Sequence, residues 1–512
     1  MATAHHILGL PQRRSEPDIP LVNQPSRVSK LATLAQPIKE PLSRMSTTNK
    51  PATIGQLRES GYRTRTIKEE MRQNLIRKMR AGEEIFPGIV GYDETVLPLV
   101  ENAILSGQDI VLLGERGQAK TRIARSLVNL LDEETPVIAG CEINDDPFTP
   151  LCKACHLRIA EEGDETPIHW IPRDQRYGEK LATPDITIAD LVGEVDPIKV
   201  AEGRYLSDEL TIHYGIIPRT NRGIFCINEL PDLAERIQVG LLNIMEERDV
   251  QIRGYKVRLP LDVFVVASAN PEDYTNRGRI ITPLKDRLGS EIRTHYPRTI
   301  EHEIAIMEAE STPFAAEGIE TSYPQFMREI IAEITHQARR SSDISQKSGV
   351  SVRVSITNYE NVMSNAVRRA IRLKERQAVP RISDLDAIVA STAGKIELDT
   401  VGEVREEKIV EKLIQRAVMK VFRDYFEVAE FEQLVAGFEK GLTVQVSDNL
   451  PAMEYVNQLA RVGGLRVAVS KLNGHGSPAT IASAVEFILE GLHLNKRLNK
   501  DEVAGQARYR RG

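Results

Sequence analysis

The stretch that most constrains this chain runs from Val111 to Leu131, VLLGERGQAKTRIARSLVNLL. An apolar run, Ile110 to Leu113, leads into a loop punctuated by glycine, and a segment with helical spacing follows. Strand, loop and helix in that order fit the pattern G-x-x-x-x-G-K-[ST], in which loop N–H groups at a helix N-terminus cradle phosphate oxygens. The loop reads Gly114, Glu115, Arg116, Gly117, Gln118, Ala119, Lys120, Thr121, with alanine where the pattern has its second glycine. Lys120 would place a point charge on the terminal phosphates and Thr121 a hydroxyl on Mg²⁺. A methyl group at 119 is tolerated if φ there is negative, which is the expectation for it.

At 512 residues the chain is long enough for several domains. Apolar content of 41% and charged content of 27% are those of a soluble globular protein. A formal charge of −6 argues against a dedicated nucleic-acid binder, so no nucleic-acid partner is expected. No apolar run reaches bilayer length, and the N-terminus shows no secretory h-region. Four cysteines are too few for a disulfide scaffold, so reduced thiols and a cytoplasmic location are expected. Residues 1–60 are rich in Pro, Ser, Thr and Arg, which predicts disorder. Their basic balance raises a transit peptide, against which stand Glu16, Asp18, Glu40 and the prolines, and Met45 is a second candidate start.

A charged helix is expected from Thr66 to Gly82, then a turn through Ile89, Val90 and Gly91 and a helix ending near Gly107. Beyond the phosphate loop, short apolar runs alternate with helices. Strands are expected at Pro136–Gly140, Gly223–Glu229, Asp262–Ser268 and Glu291–Tyr296, with a helix over Leu233–Arg248 and a β-hairpin across 249–261. That recurrence predicts an α/β fold: a parallel sheet with helices on both faces. The core is assigned to 61–298, a helical lid to 299–400 and a mostly helical extension to 401–512, with its last twenty residues frayed.

Five further residues bear on the chemistry. The strand ending Ile227-Asn228-Glu229 puts a carboxylate, Glu229, at its C-terminal end, where it could polarise a water. Asn228 stands before it and accepts hydrogen bonds without bringing a charge. Asn270 ends the next strand and could orient the same water. Arg287 follows a short helix and Arg353 opens one of the lid helices; either cation could meet charge developing on a phosphate.

Taken together, these residues resemble the AAA+ ATPases, and within them the clade of the MoxR proteins and the magnesium chelatase ATPase (I) subunit. The resemblance spans roughly residues 66–400 and includes DLVGEVDP (190–197), GIIPRTNRGIFCINELPDL (215–233), the hairpin and ASANPED. It implies ATP and Mg²⁺ as ligands. By that resemblance the turn Ile89, Val90, Gly91 would lie over the adenine, Lys120 would be the phosphate-loop lysine, Thr121 the Mg²⁺ ligand and Glu229 the catalytic base. Asn270 would be the first sensor, Arg287 an arginine finger on a neighbouring subunit's nucleotide and Arg353 the second sensor. It also implies a homo-oligomeric ring, commonly a hexamer, and a separate partner with a von Willebrand factor A domain, since D-x-S-x-S has only a near miss at Asp343-Ile-Ser345. Where the family carries an acid, this chain has Asn228, which bears on metal affinity and turnover.

Cys141, Cys152 and Cys155 form a second constellation. C-x2-C with a third cysteine and a histidine suits a tetrahedral zinc site, with His169 as the preferred fourth ligand because His156 adjoins Cys155. C-x-x-C-H also spells c-type haem attachment, which belongs to export compartments. The function expected is an ATP-driven motor that remodels a protein or complex, chaperone-like or linked to metal insertion. The alternatives are the magnesium chelatase ATPase subunit proper and a non-hydrolysing nucleotide-binding scaffold. A σ54-type activator would need a GAFTGA-like loop, which is not found.

Overall fold

The computed structural model describes residues 50–512 except 204, 206–207, 248–258, 272–278, 313–316, 347, 399–405, 463, 473–475, 504–505 and 512. Local chemistry sets the first elements. Thr66 caps the helix Ile67–Ala81 reciprocally with Glu69, and Gly82 ends it in the left-handed conformation. Residues 54–59 correct the disorder expected for 1–60: Ile54–Glu59 is a helix that buries Ile54 and Leu57 against Ile168. Two apolar side chains and a Thr53 cap suffice there, in a segment whose composition is otherwise polar.

In chain order the strands are β1 (Ile110–Leu113), β2 (Glu134–Ile138), β3 (Ile168–Pro172), β4 (Tyr177–Leu181), β5 (Gly193–Val195), β6 (Ile212–Tyr214), β7 (Gly223–Asn228), β8 (Val263–Ala269) and β9 (Ser290–Arg293). Five of them form one parallel sheet in the order β4-β7-β8-β1-β9. Alternation along each strand explains the helices on both faces. Ile110, Leu112, Ile224, Cys226, Phe264 and Val266 pack against helices Ile67–Ala81, Leu97–Ser106 and Lys120–Ser126. Their neighbours Val111, Leu113, Phe225, Ile227, Ala267 and Ala269 pack against the opposite layer, which includes Glu235–Glu247 and Thr282–Arg287.

Pro136–Gly140 does not join that sheet. Pro136, Val137 and Ile138 belong to β2, which pairs antiparallel with β3 in a separate ribbon, as β5 does with β6, while 139–140 form a turn. The place beside β7 is taken by β4, a polar edge strand that no apolar run announces. The expected helix over Leu233–Arg248 is seen as Glu235–Glu247, while most of the expected hairpin across 249–261 lies outside the described residues.

After β9 the chain is helical apart from short ribbons: β10 (Glu320–Thr321) with β11 (Gln377–Ala378), then β12 (Val444–Ser447), β13 (Asn499–Val503) and β14 (Gln506–Arg510). One apolar cluster runs from Ile304 to Tyr509, so residues of 299–400 and of 401–512 share it. Helix Pro478–Leu494 carries Gly491 where an added Cβ would stand 2.0 Å from the Phe422 ring. The frayed C-terminus is a further correction. β14 pairs antiparallel with both β12 and β13 in a three-stranded sheet, and Tyr509 is buried with its hydroxyl on Glu490.

A buried carboxylate braces the lid helices. Glu303, on Ile300–Glu310, accepts from Arg339 Nη1 and Nη2 at 2.7 and 3.1 Å and from the Ser355 hydroxyl. Burial alone would raise its pKa; hydrogen bonding to His336 and the Arg339 charge hold it below the ordinary value. Arg339 also lies over the Tyr296 ring, 4.3 Å from its centroid, which ties the lid to the end of β9.

Candidate functional site

All four inner ends of β1, β7, β8 and β4 point the same way, because the strands are parallel, and a cleft of about 740 Å³ opens beyond them. It is lined by the phosphate loop Glu115–Thr121, by Ile89 and Val90, by Glu179, Asn228 and Glu229, and from the lid by Arg353. Ligand sites of open α/β sheets lie at this carboxyl edge.

Side chains from three segments hold the loop. Gln118 Oε1 accepts from Glu115 N at 3.1 Å and from Thr294 Oγ1 at 2.7 Å. Tyr92 donates to the Gln118 and His295 carbonyls, and burial raises its pKa to about 12, so it stays a donor. Tyr296 donates to the Arg116 carbonyl at 2.9 Å. Gly114 and Gly117 are needed for close approach: a Cβ would lie 1.8 Å from Thr294 Oγ1 at the first and 2.0 Å from Ser351 Oγ at the second. Lys120 is buried and donates to the carbonyls of Gly114 and, at 3.0 Å, Glu115. Ala119 departs from expectation. Its φ is +55°, left-handed, so the methyl group sits in the conformation that glycine would occupy without strain.

Asn228 is the hub of the opposite wall. Its Oδ1 accepts from Ser268 Oγ at 3.1 Å and from Thr121 Oγ1 at 3.5 Å. Its Nδ2 donates to Glu179 Oε1 at 2.8 Å. Glu179 is held by Arg125 through two bonds of 2.8 and 2.9 Å, and this hydrogen bonding keeps its carboxyl below the usual range and ionised at neutral pH. Glu229 follows with φ +55°, its N–H 3.3 Å from Ser268 Oγ. The donor set suits Mg²⁺, which takes oxygen ligands and keeps much of its water. Thr121 offers a hydroxyl, Asn228 a carbonyl and Glu179 the charge that Asn228 lacks.

Gly91 has φ +78° and lets the turn approach the lid, since a Cβ there would stand 2.8 Å from His302 Nδ1. Asn270 is buried just after β8, beside the Gly114 N–H, which donates to the Ala269 carbonyl at 3.1 Å. Arg287 ends the helix Thr282–Arg287, makes a 2.9 Å bond to Asp286 and does not line the cleft. Arg353 begins the helix Arg353–Leu373, its N–H 3.2 Å from Ser351 Oγ.

The Sigma-54 interaction domain model matches residues 202–290. Magnesium-chelatase subunit ChlI-2, chloroplastic, of Arabidopsis thaliana is 27% identical over 229 residues, covering 44% of this chain and 51% of that protein. Magnesium-chelatase subunit ChlI of Nostoc sp. is 27% identical over 232 residues, covering 44% of this chain and 58% of that protein. The chain is an AAA+ protein related to the magnesium-chelatase ChlI subunits. It spans about half the length of the curated relatives it matches. A structure of the complex between subunits BchI and BchD of magnesium chelatase covers 64% of this chain and 98% of its own, at 19% identity and a TM-score of 0.33.

In this AAA+ chain the residue that sequence reasoning missed is Glu179. The only signal was indirect: Tyr177–Leu181 is a polar run before an apolar strand, and its parallel register with β7 sets Leu181 against Asn228. The cysteines gave a clearer signal with one error. Cys141, Cys152 and Cys155 do converge, but the fourth group among them is Asp145, not His169. His169 sits on the exposed side of β3, opposite Val137, and His156 is exposed too. Thiol hydrogen bonds from Cys152 and Cys155 pull Cys141 down to about 4, and burial raises Asp145 to about 7. Cys226 is buried in β7, as part of the core. Among the described residues no helix is long and apolar enough to cross a membrane.

Proposed function

We propose that this AAA+ protein is an ATP-hydrolysing motor that works as a ring and remodels a protein partner. What supports it is one observation: the phosphate loop, Asn228-Glu229 and the lid residue Arg353 line a single cleft. Lys120 and the loop N–H groups would hold the β and γ phosphates. Glu229, at the end of β7, would accept the proton of the attacking water, with Asn270 orienting it. Mg²⁺, bound through Thr121 with Asn228 and Glu179 around its hydration shell, would neutralise phosphate charge. Arg353 would meet the same phosphates from the lid, so the lid angle would follow nucleotide state. Arg287, outside its own cleft, is assigned to the neighbouring subunit's γ-phosphate in a hexamer.

A non-hydrolysing scaffold is the second reading, and Asn228 is the observation that favours it. Glu179, ionised and 2.8 Å from Asn228, supports the first reading instead, because it returns a carboxylate to the metal side of the cleft. The partner is assigned to a separate polypeptide with a von Willebrand factor A domain. A role in metal insertion, as the named relatives suggest, is the narrower form, and the working place is the cytoplasm.

The test is Mg²⁺-dependent ATP turnover of the full chain beside Lys120→Ala and Glu229→Gln. Lys120→Ala is expected to lose ATP binding, and Glu229→Gln to keep binding but lose turnover. Tight binding without turnover in the wild type, at concentrations where rings form, would replace the motor with the scaffold.

A further inference from the structure

We propose that Cys141, Asp145, Cys152 and Cys155 form a structural zinc site that fastens the segment 139–155 to the base of β7. One ligand atom from each lies within 4.8 Å of the other three. Tetrahedral zinc, with Zn–S bonds of about 2.3 Å, sets its sulfurs roughly 3.8 Å apart, so a small contraction completes the shell. An iron–sulfur cluster spreads its ligands farther than that.

The backbone around the sulfurs is arranged for thiolates. Ile143 and Asp145 donate their N–H groups to Cys141 Sγ, both at 3.4 Å, and Cys155 donates to Cys152 Sγ at 3.4 Å. Cys152 is also the N-cap of the helix Lys153–Glu162. A neutral thiol is a weak acceptor, so such converging donors serve charged sulfur best.

Asp145 is an independent observation. It is fully buried, its Oδ2 accepts from Cys152 N at 3.0 Å, and its Oδ1 has no hydrogen-bond partner among the described residues. A buried carboxylate oxygen left bare is costly, and a bound cation removes the cost. Lys153, Arg158 and Lys199 line the same hollow, together with Glu142 and Glu209. Four protein ligands leave no open position, which makes the site structural, and thiolate-rich tetrahedral sets select zinc.

The fastening has a definite far end. Asn144 donates to the Arg219 carbonyl at 2.9 Å and Asn221 to the Ile143 carbonyl at 3.1 Å. Residues 219–222 lead directly into β7, whose other end is Asn228. The site therefore holds the root of the strand that presents Glu229 while lying away from the cleft.

Elemental analysis of the full chain, purified reduced, is the first test, followed by Co²⁺ titration of the metal-free chain. One zinc per chain is expected, with a one-to-one cobalt complex showing thiolate charge-transfer bands. Cys152→Ser should abolish both. Asp145→Asn should weaken zinc at least tenfold in chelator competition, and His169→Ala should behave as wild type; both are mild enough to keep the far-ultraviolet circular dichroism of the parent. Iron with sulfide, no metal together with no cobalt binding, or loss of metal in His169→Ala but not in Asp145→Asn would each overturn the proposal.

Discussion

At the nucleotide cleft the atoms that would face a phosphate are largely backbone N–H groups, whereas at the cysteine cluster the ligand atoms are all side chains. The first arrangement is indifferent to many side chains but strict about backbone angles and about what stands behind the loop. Gly114 and Gly117 answer that demand, and Gln118, Thr294 and Tyr92 clamp the result. The second arrangement is strict about residue identity and lenient about backbone. In both, the group proposed to complete the chemistry is a carboxylate outside the recognisable motif: Glu179 beside Asn228, and Asp145 between Cys141 and Cys152.

The sharpest separation of the two regions comes from Glu229, the carboxylate proposed as the base. Glu229→Gln should lower kcat by about 10²- to 10⁴-fold, the usual worth of a positioned base, while thermal stability changes little. Steady-state hydrolysis and a melting curve on the same preparation would show this. A comparable loss of turnover in Asp145→Asn would erase the distinction, since that residue is assigned to stability alone.

Next in size is metal removal. Stripping zinc with a chelator should lower the melting temperature by several degrees, on the scale of about 2–4 °C per kcal/mol, because metal binding and folding are coupled at such a site. ATP affinity at a temperature where the chain is folded should move by less than about threefold, since such distant sites add nearly independently. Equal losses of stability and affinity would mean that the root of β7 and its tip act as one unit.

What was legible in the sequence follows from contiguity. The loop at 114–121 and the strand end at 228–229 carry their geometry within a few residues, and the apolar runs of β7 and β8 announce themselves. Glu179 is visible only once the parallel register of β4 and β7 is known, and β4, as an edge strand, has few apolar side chains to reveal it. His169 had better ligand chemistry than Asp145 on paper, but the β2–β3 pairing turns it outward. β13 and β14 escaped notice because Asn499–Val503 is mostly charged, and their stability rests on the pairing of β14 with the distant β12 and on Tyr509.

Charge placement at Asn228 gives a smaller effect of informative sign. Glu179→Gln should weaken Mg²⁺-ATP by about tenfold, or about 1.4 kcal/mol, as the carboxylate near the metal disappears. Asn228→Asp alone should gain little, because it removes the 2.8 Å bond to Glu179 and sets two like charges together. The double variant, Asn228→Asp with Glu179→Gln, should recover most of the loss, a non-additivity readable from Mg²⁺ titrations of nucleotide binding. Simple additivity would show that Glu179 serves only Arg125.

Ala119→Gly has the smallest expected effect, and its sign tests the backbone-built site directly. The left-handed conformation costs a non-glycine residue roughly 1–2 kcal/mol. Glycine's extra freedom in the unfolded chain offsets about 0.5–1 kcal/mol of the relief. The methyl group is half-buried against the core beside the loop, so losing it costs about 0.4 kcal/mol more. Glycine is also a better helix cap than alanine, by a few tenths of a kcal/mol or more. The balance is a gain of about 0.5 kcal/mol, seen as a slightly raised denaturant midpoint with ATP affinity unchanged within about twofold. With a negative φ at 119 the same substitution would destabilise by about 1 kcal/mol. A lowered midpoint would therefore mean that the loop closes around phosphate in another way, with alanine accommodated rather than strained.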